Sequence, residues 1–246
     1  MDHARQYEAI FKRKSIRKYK PDLLDQGTLE EVRSFIATLT PMIPGIKTEI
    51  KILGSDEVKG VFRSGAPYFL AIYSEKKEGY AANAGFLLQQ MDLYFSASGI
   101  GSCWTLLSKP LQKNDPVSGL EFVVNLAFGK PAEDLQRRSV SEFKRKPLSE
   151  ITDIKGLDEL LEPARLAPSG VNNQSSYFRG DPTSIDAYYA KSRLTDVMNQ
   201  INVGIAICHI WLAALHAGRS VDFTVDEKGE DRAPKGYRYV ISVKAK

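Results

Sequence analysis

NAGFLLQQMDLYFSASGIGS, residues 83 to 102, lies without a gap over NVGIAICHIWLAALHAGRSV, residues 202 to 221. Asn83 falls on Asn202, Gly85 on Gly204 and Gly99 on Gly218, and the apolar positions between them coincide. Both stretches are apolar around most of their circumference, which predicts two buried helices, each ended by a glycine free to turn left-handed. A glycine early in each helix lets the two backbones approach closely.

The flanks repeat as well. GLEFVVNLAFG from 119 lies over GYRYVISVKAK from 236 as a strand, and a helix ending TLTP at 38 to 41 resembles one ending RLAP at 165 to 168. The order predicts two halves, 1–150 and 151–246, related by a pseudo-twofold axis and packed as one compact unit around a mixed sheet. Residues 129 to 156, charged and rich in turn formers, read as a connector over the surface. Further helices are expected over 6–13, over 28–39 with Thr28 and Glu31 as a capping box, and over 157–166. Strands are expected over 46–53, 67–73, 120–128 and 237–243, the second of these central because it is apolar throughout.

Composition narrows the function. A chain of 246 residues, 43% hydrophobic, can bury a sizeable core, and a net charge of +4 spread among interleaved acids and bases provides no field dedicated to nucleic acid. Cys103 and Cys208 stand outside any CxxC pattern, which argues against a disulfide framework or zinc site and for a reducing compartment. The first thirty residues hold no signal-type apolar core, and no uninterrupted apolar run reaches bilayer-spanning length, so a cytoplasmic protein without a membrane partner is expected. His209 and His216, seven apart with no acidic partner at ligand spacing, read as ordinary helix histidines, so no metal is expected. Hydrolase, phosphotransferase and Rossmann motifs are missing from the sequence.

Two polar stretches remain. KRKSIRKYKPD, residues 12 to 22, carries six basic side chains, and Arg13, Ser15 and Arg17 would project from one side of an extended chain. A guanidinium fork beside a hydroxyl suits a phosphate, and a solvated basic strand is the other reading. In APSGVNNQ, residues 167 to 174, proline and glycine fix a tight loop whose Ser and Asn side chains bond either backbone or ligand.

RKSIRKYKPD, the NAG helix ending GIGSCW, RKPL after a strand, and ARLAPSGVNNQ together resemble the nitroreductase family of FMN-dependent oxidoreductases. The resemblance implies an α+β nitroreductase-like fold. In that family the flavin lies at a homodimer interface, with an RRSxR segment from one subunit and a PSxxNxQ loop from the other. Here both segments sit on one chain, so an intramolecular pseudo-dimer is implied, with further self-association left open. The implied FMN ligands are Arg13, Lys14, Ser15 and Arg17 at phosphate and pyrimidine, Leu106 and Leu107 along the N5 edge, and Lys144 and Arg145 closing over the phosphate. Pro168, Ser169, Gly170 and Asn172 would come from the second half. Leu106 and Leu107 replace the glycine or acidic residue frequent there, and Ser175, Ser176 and Tyr177 replace the usual proline and aromatic. One FMN per chain is expected, because the first half offers TPMIPG at 40 to 45 instead of a second PSxxN loop. The implied activity passes hydride from NAD(P)H through flavin N5 to a nitroaromatic, quinone or similar acceptor, with no side chain as acid or base. A flavin-binding protein without turnover, or a basic module using residues 12 to 20 for an anionic partner, are the alternatives.

Overall fold

The computed structural model describes residues 3–60, 65–111 and 119–246. Its first half runs α1 (His3–Ile10), α2 (Gln26–Ile36), β1 (Thr48–Gly54), β2 (Val58–Gly60), β3 (Tyr68–Ser74), α3 (Tyr80–Ala97), β4 (Gly101–Thr105), β5 (Ser108–Pro110) and β6 (Glu121–Gly129). The second half runs α4 (Asp158–Arg165), β7 (Ser176–Asp181), β8 (Ser184–Ala190), α5 (Asp196–His216), β9 (Val221–Thr224) and β10 (Tyr237–Ala245). The expected mixed sheet is instead two four-stranded antiparallel sheets, ordered β1-β3-β6-β4 and β7-β8-β10-β9, with β2 and β5 paired apart. Both sheets follow one plan: first strand, second, fourth, third, with the long helix between the second and third.

That plan explains the apolar helices. α3 lies on the first sheet, α5 on the second, and the two helices pack on each other. Each is therefore covered on two sides, and every residue from Ala81 to Leu93 and from Ile201 to Ala214 is buried. α5 is long and apolar enough to cross a membrane by length and composition, but its burial inside the fold makes it a core helix. A Cβ on Gly85 would come within 2.2 Å of the Ile201 carbonyl oxygen, and one on Gly204 within 1.9 Å of that of Ala82. The overlay pairs 85 with 204 and 82 with 201, so the two contacts are exchanges of each other, as a twofold crossing requires. β3 is central: Leu70 and Ile72 face the main core, while Phe69, Ala71 and Tyr73 fill a second cluster behind the sheet.

Boundaries differ where local chemistry intervenes. α2 starts at Gln26 because Asp25 is the cap, its carboxylate accepting from the Thr28 N–H at 2.9 Å and the Thr28 hydroxyl at 2.8 Å. Glu31 is left out of any capping box. α1 ends at Ile10, short of residue 13, because Arg13 already pairs antiparallel with Gln136.

Candidate functional site

Residues 12–20 are woven into the molecule. The Ile16 N–H donates to the Ser102 carbonyl (2.8 Å) and that of Lys20 to Lys130 (2.9 Å), while Ala132 and Arg137 donate back to Lys18 (2.9 Å) and Lys12 (2.8 Å). The alternation anticipated from the sequence is present, with an unexpected inner end. Arg13 is 1% exposed, its Nε 2.9 Å from Asp92 Oδ2, and its Nη2 donates to Ser15 Oγ at 3.0 Å. Lys14 turns the other way, to Glu133 (3.3 Å) and the Asp134 carbonyl (3.2 Å). The N–H groups of Arg17 (2.7 Å) and Lys18 (3.1 Å) bond Glu133 Oε1 and lower its carboxyl pKa. The Arg17 side chain is exposed, and its charge is felt at Cys103.

In the second half, α4 delivers the chain into buried Pro168 and then a tight turn over Gly170–Asn172. Val171 (φ 48°), Asn172 (φ 56°) and Gln174 (φ 49°) are the non-glycine residues with positive φ among the described residues, and all three lie here. Such clustering of left-handed backbone is characteristic of binding and switch segments. α5 holds the loop from below. Asn202 Oδ1 accepts from the Gly170 N–H (2.9 Å), Asn202 Nδ2 donates to Asn173 Oδ1 (2.9 Å) and Ser175 Oγ (3.1 Å), and Asn199 Oδ1 accepts from Asn173 Nδ2 (2.7 Å). Ser169 Oγ accepts from the Gln174 N–H (3.0 Å). The repeat reproduces the clamp in the first half, where Asn83 Oδ1 accepts from the Ile43 N–H at 2.9 Å. There the loop carries buried Met42 and bulky Ile43 where the second half has Ser169 and Gly170.

Arg145 joins the halves. Its Nη1 donates to Asn172 Oδ1 (2.6 Å) and its Nη2 to the Leu166 carbonyl (3.3 Å), while Asn172 Nδ2 returns a bond to the Lys144 carbonyl (3.0 Å). The Lys144 side chain itself is solvent-exposed. Burial, then repulsion from Arg13, Arg137 and Arg165, lowers the Arg145 pKa to about 10. Arg137, lowered by burial and by Arg13, donates to the Arg13 carbonyl and covers the Phe143 ring at 4.1 Å; Arg145 lies 5.7 Å from the same ring. Leu106 closes the circle: a Cβ on Gly170 would meet its Cδ1 at 2.8 Å and Met198 Sδ at 2.3 Å. Leu107 is 61% exposed and its side chain does not join the group.

Beneath the site runs a buried hydrogen-bonded chain. Asp92 is ion-paired with Arg13 and accepts from Ser102 Oγ (2.6 Å) and from Gln89 Nε2 (3.2 Å); Gln89 Nε2 also meets His209 Nε2 (3.0 Å), and His209 Nδ1 meets the Pro163 carbonyl (2.8 Å). The network assigns the His209 hydrogen to Nδ1, leaving Nε2 to accept from Gln89. Burial lowers the His209 pKa to about 3, so the ring is neutral. Sequence reasoning missed Asp92, Gln89, His209 and Arg137. The available signal was Asp92 itself, since an acid inside a helix that is apolar all round demands a buried partner.

The family described as "Putative TM nitroreductase" matches residues 5–214. The chain is similar to a Thermotoga maritima structure described as "a putative nitroreductase", with TM-score 0.65, 18% identity, 97% of this chain and 92% of that chain covered. That likeness establishes the fold. A nitroreductase family protein of Clostridium difficile aligns with TM-score 0.47 and 17% identity over 59% of this chain and 94% of that one. An FMN-dependent nitroreductase from the same species aligns with TM-score 0.40 and 16% identity over 54% of this chain and 91% of that one. Among curated proteins none matches. With the family match spanning most of the sequence, the chain belongs to the nitroreductase family.

Proposed function

We propose that the chain binds one FMN between its two halves and works as an oxidoreductase of the nitroreductase type. The observation that supports this most is Arg145, bonded to Asn172 of the second half while sharing a repulsive cluster with Arg13 and Arg137 of the first. The residues fit the cofactor. Arg145 Nε is buried with no hydrogen-bond partner among the described residues, Asp92 pairs with Arg13, and Glu142 offsets Arg137 only in part, so Arg145 and Arg137 leave positive charge for a phosphate dianion to balance. In this reading Ser15, Arg137 and Arg145 hold the phosphate, and Arg17 lies toward the pyrimidine. The 168–172 loop supports the ring from the second half, and Leu106 follows its N5 edge. Lys14 and Leu107 drop out, because Lys14 is committed to Glu133 and Leu107 faces solvent.

Bound flavin would supply hydride chemistry at N5, drawn from NAD(P)H and delivered to a nitroaromatic, quinone or similar electron-poor acceptor. The protein would contribute charge, orientation and a lined cleft. We read the molecule as a tandem fusion whose reciprocal glycine contacts and paired Asn83 and Asn202 clamps support a duplicated origin for the halves 1–150 and 151–246. The buried free thiols of Cys103 and Cys208 support a cytoplasmic setting.

A second reading, a flavin-binding protein without turnover, is favoured by Leu106 and Met198 pressed against Gly170, where an acceptor would need room. One experiment separates them. Purified protein should be yellow, contain one flavin per chain and bleach anaerobically with NADH or NADPH. Yellow protein that never bleaches supports the second reading; colourless protein that takes up no added FMN overturns both.

A further inference from the structure

We propose that Asp92 is a positioning residue for flavin phosphate, acting through Arg13 to turn the Ser15 hydroxyl into a fixed donor; this rests on the flavin reading above. Asp92 sits in α3 at the seam with α5, forms a buried ion pair with Arg13 whose Nε lies 2.9 Å from its Oδ2, and accepts hydrogen bonds from Ser102 Oγ at 2.6 Å and Gln89 Nε2 at 3.2 Å. With both carboxylate oxygens engaged, Arg13 has one orientation to adopt. At 1% exposure it is shut away from a ligand, so it does not serve as the phosphate fork itself. Its Nη2 donates to Ser15 Oγ at 3.0 Å instead. A hydroxyl whose oxygen already accepts must direct its own hydrogen elsewhere. For half-buried Ser15 the present neighbour is the sulfur of Cys103, a weak acceptor that a phosphate oxygen would displace.

The same carboxylate reaches the other half. Through Gln89 and His209 it is tied to the Pro163 carbonyl of α4, the helix that delivers the 168–174 loop. The donor from one half and the loop from the other are thus set by a single buried acid.

The test uses riboflavin, which lacks the phosphate. Apoprotein of the wild type, Asp92→Asn, Ser15→Ala and the double variant is titrated with FMN and with riboflavin by fluorescence quenching. The wild type should prefer FMN, and Asp92→Asn should lose roughly tenfold of that preference, about as much as Ser15→Ala, because a charge-assisted hydrogen bond is at stake. The double variant should lose no more, since the two residues act in series. An Asp92 that merely held the fold would lower the melting temperature and leave the FMN-to-riboflavin ratio alone, and that outcome overturns the proposal. Should Asp92→Asn not fold, Ser102→Ala removes one bond to the carboxylate and should lower the ratio by roughly two- to threefold; an unchanged ratio there also overturns it. Wild-type protein that binds neither flavin refutes the flavin reading itself.

Discussion

At the scale of single residues, function and stability pull apart at Arg145. Its partly buried guanidinium has an orphaned Nε and three cationic neighbours, so Arg145→Met should leave thermal stability unchanged or raised while weakening FMN binding by roughly tenfold or more. Calorimetry and flavin titration on one preparation would show both signs. His209 sets an acid limit. Its folded pKa lies near 3, below the ordinary value of 6.5, so the unfolded chain takes up the proton first and stability falls as pH drops through this range. Between pH 7 and pH 5 this group should cost about 2 kcal/mol. Urea unfolding of His209→Gln, which keeps a donor and an acceptor, should lack that increment. Alternation around Arg13, Ser15 and Arg17 was legible in the sequence; the inward turn of Arg13 was not, because its partner lies in a helix far along the chain.

Elements divide by whether their pattern is local. α3, α5, β3 and β6 were legible because burial on two or more sides leaves long apolar runs, while short strands such as β7 (SYFRGD), with charge and glycine, and β9 (VDFT), with a charge among four residues, carry no such mark. The 168–174 loop was legible as a turn, but its left-handed valine was not, since a β-branched residue is the last one expected there. Val171 is 88% exposed and packs little, so Val171→Gly should relieve strain and raise stability by about 0.5–1 kcal/mol in denaturant unfolding. The helix crossing tolerates no such freedom. Gly204→Ala would place a methyl 1.9 Å from a backbone oxygen, and the helices must part, at a cost of roughly 3 kcal/mol or more read from the same unfolding curves.

For the whole molecule, the two long apolar helices at its centre were legible, and the misjudged sheet count followed from not seeing that each long helix covers a sheet of its own. Chains 1–150 and 151–246 expressed apart should each expose the apolar face of a long helix, and neither alone should bind FMN. Mixing the two during refolding should restore binding if the site is shared as proposed; size exclusion with absorbance detection would measure it.

The clamps at Asn83 and Asn202 hold loops of different make: Met42 and Ile43 on one side, Ser169 and Gly170 on the other. In an assembly of identical subunits every substitution arrives twice, so one loop could never become bulky while its counterpart stayed lean. A single polypeptide carries each residue once. Selection can then treat the two loops as separate traits.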